Sequence, residues 1–325
     1  MKEIVNNIFS VSPGTFTDVA IKVFRFQYAN NLGYQQWVKA LGVSVNSVNS
    51  LTDIPFLPVS FFKTNRVVTG DFEPAVTFSS SGTTGSINSF HYVKDDAIYT
   101  ESFTKGFQQF YGNPQEWCII GLLPSYLERQ GSSLITMVDE LIRLTHHPHS
   151  GFYLNEFDKL SHVLQQLEAT QQKTLLIGVT FALLDFAEKH HLSLKHTTVM
   201  ETGGMKGRRR EMIREEVHDL LQKQLQVSSV HSEYGMTEML SQGYSFGDGI
   251  FKGVPWMKIL VRDEDDPLLV MESGKGLMNV IDLANVYSCS FIATDDVGSV
   301  LPDGSFEVMG RRDNSDIRGC SLLVM

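Results

Sequence analysis

Short apolar runs rich in β-branched residues recur along the chain at residues 117–122, 174–179 and 197–200, separated by segments with helical spacing. Runs of that length without polar alternation read as strands buried on both faces, the pattern of a parallel sheet covered by helices. The intervening segments fit. In residues 208–224, Ile213, Val217, Leu220 and Leu221 fall at i, i+4, i+7 and i+8, one face of a helix. After Tyr244 the pattern changes to short strands with turn signals, at 257–261, 277–281, 291–293 and 306–309, which predicts a smaller antiparallel β subdomain. The expected fold class is therefore α/β, a mostly parallel helix-covered sheet with that subdomain attached. Residues 1–75 are mixed, with helix-like stretches at 16–26 and 34–41 and a link punctuated by Pro55 and Pro58. This portion is expected to pack on the core.

Composition narrows the function classes. A chain of 325 residues, 42% hydrophobic and 20% charged, can bury a full core as one large domain or two joined subdomains. A formal charge of -10 and a pI near 5.5 argue against nucleic acid, whose binding depends on Lys and Arg displacing counterions. The amino terminus has no long apolar segment, and the most apolar window, residues 175–186, is too short to span a bilayer, so no membrane span and a cytoplasmic location are expected. Cys118, Cys289 and Cys320 form no C-x-x-C pair and leave an odd count, which suits a reducing compartment and excludes a zinc ribbon.

Three segments carry candidate chemistry. The run Phe78-Ser79-Ser80-Ser81-Gly82-Thr83-Thr84-Gly85-Ser86 follows an apolar segment and is crowded with hydroxyls around two glycines. Glycine lets backbone N–H groups approach an anion, and each hydroxyl can donate to a phosphate oxygen, so a polyphosphate nucleotide is the first ligand to consider. The second, His231-Ser232-Glu233-Tyr234-Gly235-Met236-Thr237-Glu238, offers a ring that can stack on a base, a hydroxyl and a carboxylate that can hold Mg²⁺. The third comprises Thr294-Asp295-Asp296-Val297-Gly298 and Gly310-Arg311-Arg312-Asp313, where an Asp can accept from ribose hydroxyls and an Arg can bind ribose or phosphate. Each alone also fits ordinary turn chemistry. Other motifs fail. Gly274-Lys275-Gly276 lacks Walker spacing, Gly247-Asp248-Gly249 misses the dinucleotide spacing, no G-x-S-x-G occurs, and His146-His147-Pro148-His149 reads as a polar helix end.

The order and spacing of these segments resembles the adenylate-forming superfamily of acyl-CoA synthetases, adenylation domains and luciferase-like ligases. Residues 79–86 look like its phosphate loop, 234–238 match its Tyr-Gly-x-Thr-Glu motif, 294–296 are similar to its Thr-Gly-Asp, and 310–313 to its hinge. Within it, the ending Ser315-Asp316-Ile317-Arg318-Gly319-Cys320-Ser321-Leu322 looks like the acyl-protein synthetases of bioluminescence fatty-acid reductase complexes.

The resemblance implies a division into an adenylate-forming core at 1–309, with a β-rich subdomain at about 244–309, and a hinge-like tail at 310–325 without the C-terminal lid domain and its catalytic lysine. It implies ATP and Mg²⁺ as cofactors. Ser80, Ser81, Gly82, Thr83, Thr84 and Gly85 would clasp phosphates, and Gly203 and Gly204 would line the adenine pocket. Tyr234 would stack on adenine, Thr237 would touch the α-phosphate, Glu238 would hold the metal, and Asp296 with Arg311 would hold the ribose. The phosphate loop continues Ile87-Asn88-Ser89 where the superfamily often has Pro-Lys, so one loop cation is missing; for the absent C-terminal lysine, Mg²⁺, Lys206, Arg129 or a partner subunit are the candidate sources of charge.

Cys320 follows Arg318 and Gly319, where a nearby cation can lower a thiol pKa. A thiolate there attacking acyl-AMP would give a thioester and AMP. The expected function is ATP-dependent activation of a fatty or related carboxylic acid and transfer to Cys320, for delivery to a partner such as a reductase or an acyl carrier protein. The alternatives are a ligase with an external thiol acceptor, such as coenzyme A or acyl carrier protein, and a binding subunit that keeps the acyl-adenylate pocket with weakened turnover. Residues 181–186 and the loop Leu123-Pro124-Ser125-Tyr126 are the candidate acyl pocket.

Overall fold

A computed structural model describes residues 5, 7–80, 87–123, 131–154, 156–203 and 212–312. Its strands are, in chain order, β1 (Leu57–Pro58), β2 (Val76–Ser79), β3 (Phe90–Val93), β4 (Cys118–Leu122), β5 (Gly151–Phe152), β6 (Thr174–Gly178), β7 (Thr197–Glu201) and β8 (Val230–Tyr234). There follow β9 (Gly243–Ser245), β10 (Ile250–Gly253), β11 (Met257–Arg262), β12 (Val270–Met271), β13 (Gly274–Asp282), β14 (Phe291–Val300) and β15 (Phe306–Arg311).

The three apolar runs are β4, β6 and β7, and every residue of β4 and β6 is buried. They pair in parallel, in the order β5-β4-β6-β7-β8. Helix Ser133–Thr145 packs on β4, and helices Thr180–Lys189 and Arg214–Leu225 pack on each other. Burial of this kind on both faces removes the need for polar alternation, which is why these strands read as unbroken apolar runs.

The class is the α/β one expected, and the structure adds how its parts join. β8 pairs antiparallel with β9 on its other edge, through Ser232↔Ser245, Glu233↔Tyr244 and Tyr234↔Gly243. Beyond β9 the same sheet continues as β10-β15-β14-β13-β11-β12, and β1 lies parallel to the start of β14. The antiparallel strands are thus hydrogen-bonded to the parallel ones. β2 and β3 form a separate hairpin.

One helix differs from its expected stripe. Helix Arg214–Leu225 begins after Ile213, which is extended (ψ 158) and accordingly 62% exposed. The buried positions are Val217, His218, Leu221 and Leu225, so the apolar face sits one turn later than the spacing from Ile213 implied. The Glu216 carboxylate accepts from the Ile213 N–H at 3.3 Å and closes the helix start there.

The N-terminal portion docks through polar as well as apolar contacts. Helix Phe16–Asn30 buries Phe16, Ala20, Val23, Phe24 and Gln27, and Phe24 meets Tyr34 and Phe291 edge to face. Gln27 Nε2 donates to the carbonyls of Asn285 (3.1 Å) and Val286 (3.0 Å), and its Oε1 accepts from the Ser290 N–H (2.9 Å). Asn31 and Thr69 both donate to the Ser288 carbonyl, and the Ser288 hydroxyl donates to the Val67 carbonyl. The turn at 285–290 is therefore anchored at several points by the N-terminal portion. Gln27→Leu keeps the volume but strands two buried backbone groups, the Val286 carbonyl and the Ser290 N–H, and takes one of two donors from the Asn285 carbonyl, so it should cost about 3 kcal/mol in denaturant unfolding. A loss smaller than that of an ordinary surface substitution would show that the turn does not depend on Gln27.

Candidate functional site

Of the expected site residues that are described, Gly203 and Tyr234 stand at the ends of parallel strands, and Thr237, Glu238, Asp296 and Arg311 lie near Tyr234. Tyr234 closes β8, buried, with its ring edge-on to Phe306 at 5.5 Å and to Phe251 at 6.1 Å. Its hydroxyl donates to Asp296 Oδ2 at 2.9 Å, and Asp296 Oδ1 lies 3.6 Å from Arg311 Nε. Burial, then the Asp296 charge, holds the Tyr234 hydroxyl well above the usual phenol range, so it acts as a donor. Asp296 and Arg311 face each other as a register pair of β14 and β15.

Asp296 reaches this position because β14 bulges. Leu277 pairs with Val297 but Asn279 pairs with Ala293, which leaves Thr294, Asp295 and Asp296 out of the regular ladder with β13. Arg262 fills the irregularity. Its guanidinium donates to the Met278 carbonyl (3.0 Å), Asn279 Oδ1 (2.7 Å) and the Thr294 carbonyl (2.7 Å), and Thr294 Oγ1 donates to the Met278 carbonyl (2.9 Å).

Glu238 lies nearby, 6% exposed, with its carboxyl raised by burial against the opposing effects of the Ser89 hydrogen bond and of Arg311 and Lys63. Ser89 belongs to the stem of the β2–β3 hairpin. Ser80 N–H donates to the Ser89 carbonyl at 3.1 Å, and Ser89 N–H donates to Ser80 Oγ at 2.9 Å. Ser80 keeps its hydroxyl hydrogen for another acceptor. The hairpin that carries the hydroxyl-rich loop is in this way tied to the Glu238 carboxylate.

Gly203 sits at the end of the neighbouring strand with φ +75, a conformation that favours glycine. Its N–H donates to Glu201 Oε2 at 2.7 Å, and its carbonyl accepts from the Thr180 N–H at 2.9 Å. Burial would raise the Glu201 carboxyl, but hydrogen bonds from His218, Ser232 and Gly203 and the Arg214 charge bring it down to about 2. Arg214 in turn lies over the Phe251 ring at 5.0 Å and donates to the Val308 carbonyl at 3.1 Å.

Thr237 joins the group through its backbone, its carbonyl oxygen 2.8 Å from His91 Nδ1. Ser81, Gly82, Thr83, Thr84, Gly85, Gly204 and Cys320 lie outside the described residues, as do Lys206, Arg129 and the loop at 124–126. Residues 181–186 lie in helix Thr180–Lys189, where Phe181, Ala182, Leu183, Leu184 and Phe186 are buried in the core. Cys118 and Cys289 are also buried, and burial pushes their thiols up to about 11 and about 12. Sequence reading did not find Ser89, His91, Arg262, Glu201, Arg214 or Asn285; only the apolar, hydroxyl-flanked setting of Ser89 and His91 beside the loop gave any signal.

The arrangement offers a fixed ring, a carboxylate–guanidinium pair beside it, and a buried carboxylate next to a hydroxyl-rich hairpin. Such a site can hold a nucleoside and its phosphates. The acyl-protein synthetase (LuxE) family profile matches residues 14–325. This chain belongs to the LuxE acyl-protein synthetase family. The LuxE-family chain is 23% identical to the long-chain-fatty-acid–luciferin-component ligase of Vibrio harveyi, over 92% of its own length and 84% of that protein. Among solved structures it resembles a 2-hydroxyisobutyryl-CoA ligase in complex with 2-HIB-AMP and CoA (TM-score 0.65, 12% identity, 92% of this chain and 70% of that one). It also resembles ATP-bound MatB from Rhodopseudomonas palustris (TM-score 0.53, 17% identity, 74% of this chain); the match spans about half, 49%, of the MatB chain. These likenesses establish the adenylate-forming fold, and family and fold together make the LuxE-family chain an AMP-forming ligase that activates an acyl group with ATP. No helix of the described residues is long and apolar enough to cross a membrane.

Glu233, next to Tyr234 on β8, gives a pH test of this geometry. Burial, then the Glu201 charge, pushes its carboxyl up from 4.5 to about 8. Between those values the folded chain holds a proton there that the unfolded chain has lost, so this group makes stability fall as pH rises from 4.5 to about 8. Glu233→Gln should flatten that part of the profile, read as unfolding midpoints across the window. A slope identical to wild type would mean that Glu233 is ionised in the fold. Arg262→Lys keeps a charge but cannot reach three acceptors in a plane. It should weaken ATP binding about tenfold by loosening Asp296, measured by calorimetry; unchanged binding with an unchanged melting temperature would remove Arg262 from the site.

Proposed function

We propose that this chain converts a fatty or related carboxylic acid and ATP to acyl-AMP and pyrophosphate, then passes the acyl group to the Cys320 thiol with release of AMP. The observation that supports this most directly is the Tyr234–Asp296–Arg311 constellation standing beside the Ser89-bonded Glu238, in a chain of the acyl-protein synthetase family. Residues 1–309 would act as one adenylate-forming core and 310–325 as a hinge-like tail.

In this reading the hydroxyls and backbone N–H groups at 80–85 hold the β- and γ-phosphates. The remaining face of the Tyr234 ring stacks on adenine beside Gly203 and Gly204. Asp296 accepts from the ribose hydroxyls and Arg311 adds a donor, while Thr237 donates to the α-phosphate. A substrate carboxylate oxygen attacks the α-phosphorus as its bond to the pyrophosphate oxygen breaks. Fixed donors aimed at that charge supply the stabilisation.

The residues fit Mg²⁺ as the accompanying cation. Among the described residues no group of three or more His, Cys, Asp or Glu could hold a metal by itself, and Glu238 is a single buried carboxylate beside a phosphate-type loop. That is the donor set Mg²⁺ uses, one or two carboxylates completed by phosphate oxygens and water. Glu238 would hold it, and when bound it neutralises charge between the phosphates. In the second half-reaction the Cys320 sulfur bonds the acyl carbon, the acyl–phosphate C–O bond breaks, AMP leaves with the electron pair, and the thiol proton passes to solvent. A fatty acid as substrate is the reading that the name of the Vibrio harveyi ligase supports, and a reductase or acyl carrier protein would be the next acceptor.

Intact-mass spectrometry after incubation with ATP, Mg²⁺ and a panel of carboxylic acids tests the sequence of steps. An acyl-sized adduct should appear only with ATP and disappear in Cys320→Ala. Pyrophosphate release without any protein adduct would move the acceptor to an external thiol, and an adduct that survives Cys320→Ala would place it elsewhere on the chain. Glu238→Gln should lower ATP–pyrophosphate exchange about a hundredfold.

A further inference from the structure

His91 and Asn285 are buried, 1% exposed each, and they meet the Tyr-Gly-Met-Thr-Glu segment from two different parts of the chain. His91 lies on β3, the returning strand of the phosphate-loop hairpin, and Asn285 lies in the turn between β13 and β14. Three contacts run in series. The Thr237 carbonyl oxygen is 2.8 Å from His91 Nδ1, His91 Nε2 is 2.8 Å from Asn285 Oδ1, and Asn285 Nδ2 is 2.7 Å from the Glu238 carbonyl oxygen. The imidazole is wedged edge-on between the rings of Phe62 (5.9 Å) and Phe78 (6.5 Å), which leaves it no other polar partner in those directions.

The hydrogens in this series do not suffice. Both ends are carbonyl oxygens, which only accept, and three contacts need three donated hydrogens. A neutral imidazole supplies one, and the Asn285 amide, turned edge-on between its two neighbours, supplies one more. With Nε2–H donating to Oδ1 and Nδ2–H donating to Glu238, the bare Nδ1 faces the Thr237 oxygen. With Nδ1–H donating to Thr237 and the amide turned over to donate to Nε2, Oδ1 faces the Glu238 oxygen instead. Only an imidazolium would satisfy all three. Burial opposes that charge and carries the His91 pKa down to about 4, against the pull of the Thr237 and Asn285 hydrogen bonds.

We propose that His91 and Asn285 are positioning residues for the Thr237–Glu238 backbone, and that the pair grips the Thr237 and Glu238 carbonyls alternately rather than together. This rests on the acyl-adenylating reading above, in which those two residues touch the α-phosphate and the cation. Exchange between the two arrangements needs only a tautomer change at His91 and a half-turn of the Asn285 amide. Each arrangement leaves one of the two successive carbonyls free to shift. Because His91 is carried by the phosphate-loop hairpin, a movement of that hairpin about a bound nucleotide alters which carbonyl is held. A reaction that binds triphosphate, releases pyrophosphate and then presents an acyl-adenylate gives such a two-position clamp a use at each stage.

The test is side-chain ¹⁵N NMR of the full chain labelled at histidine, at neutral pH, with and without Mg²⁺ and a non-hydrolysable ATP analogue. The His91 signal, assigned from its loss in His91→Asn or His91→Phe, should show a neutral ring whose tautomer balance shifts on adding nucleotide. A doubly protonated ring, or one tautomer unmoved by nucleotide, overturns the clamp. In ATP–pyrophosphate exchange, His91→Phe, which retains the packing on Phe62 and Phe78, should raise KM for ATP and lower kcat, together about ten- to a hundredfold in kcat/KM. His91→Asn, whose amide can donate to Thr237 in place of Nδ1, should recover part of the KM. Loss of activity matching the loss of folded protein, or equal kinetics in the two variants, also overturns it. Absence of exchange in the wild-type chain with any acid would sink the acyl-adenylating reading instead, whatever the imidazole does.

Discussion

The geometry of the site depends on β8 serving two kinds of neighbour at once. On one edge it is the last parallel strand, in register with β7 from Val199↔Val230 to Glu201↔Ser232; on the other it is antiparallel to β9. Parallel pairing sends the chain out at the carboxyl ends of the strands, where open α/β sheets bind their ligands. Antiparallel pairing brings it straight back, after residues 235–242. The Tyr-Gly-Met-Thr-Glu segment is that excursion. The strands that follow, through β10 and β15 to β14, then carry Asp296 and Arg311 to the end of β8 from the opposite side.

The local devices follow from this seam. Gly235 has no side chain where an added Cβ would lie 2.5 Å from Glu233 Oε1, so the Glu233 carboxyl can fold back along the strand end. The bulge in β14 would leave carbonyls without partners, and Arg262 supplies planar donors to two of them and to Asn279. The buried acids divide by what surrounds them. Glu201 has Arg214 and His218 near it and stays ionised, whereas Asp282 is raised to about 6 by burial despite hydrogen bonds from Ser241, Leu240 and Ala284. Donors alone leave Asp282 raised, whereas at Glu201 the hydrogen bonds from His218, Ser232 and Gly203, with the Arg214 charge added, outweigh burial.

What could be read from the sequence was what is encoded locally. Residues 117–122 and 174–179 announce buried strands because hydrophobicity is contiguous there, and 294–298 and 310–313 announce a polar site because their chemistry is concentrated in a few neighbours. His91 and Asn285 are separated by 194 residues and Gln27 from Ser290 by 263, and nothing in their own surroundings marks them as partners. Arg262 reads as the polar end of an apolar strand, and only the register shift between β13 and β14 shows why it is turned inward. Ile213 misleads for a related reason: apolar spacing identifies a face, but the N–H it offers to Glu216 decides where the helix begins.

The turn at 285–290 connects these long-range contacts into one structure. Its backbone is held by Gln27, Asn31 and Thr69 from the N-terminal portion, the Ser288 hydroxyl donates to the Val67 carbonyl, and its first side chain, Asn285, reaches Glu238 and His91. Buried amide and hydroxyl contacts of this kind add little net stability each, but leaving one unmade is costly, so they fix the backbone of the turn while the Asn285 amide keeps its two orientations. The N-terminal portion is remote in sequence from the Thr237–Glu238 backbone, yet two hydrogen bonds in series, Gln27 to Asn285 and Asn285 to Glu238, join them. A helix at the start of the chain thereby sets where Asn285 stands when it grips the Glu238 carbonyl. The phosphate-loop hairpin reaches the same point through His91, so the hairpin, the motif and the N-terminal helix share one support.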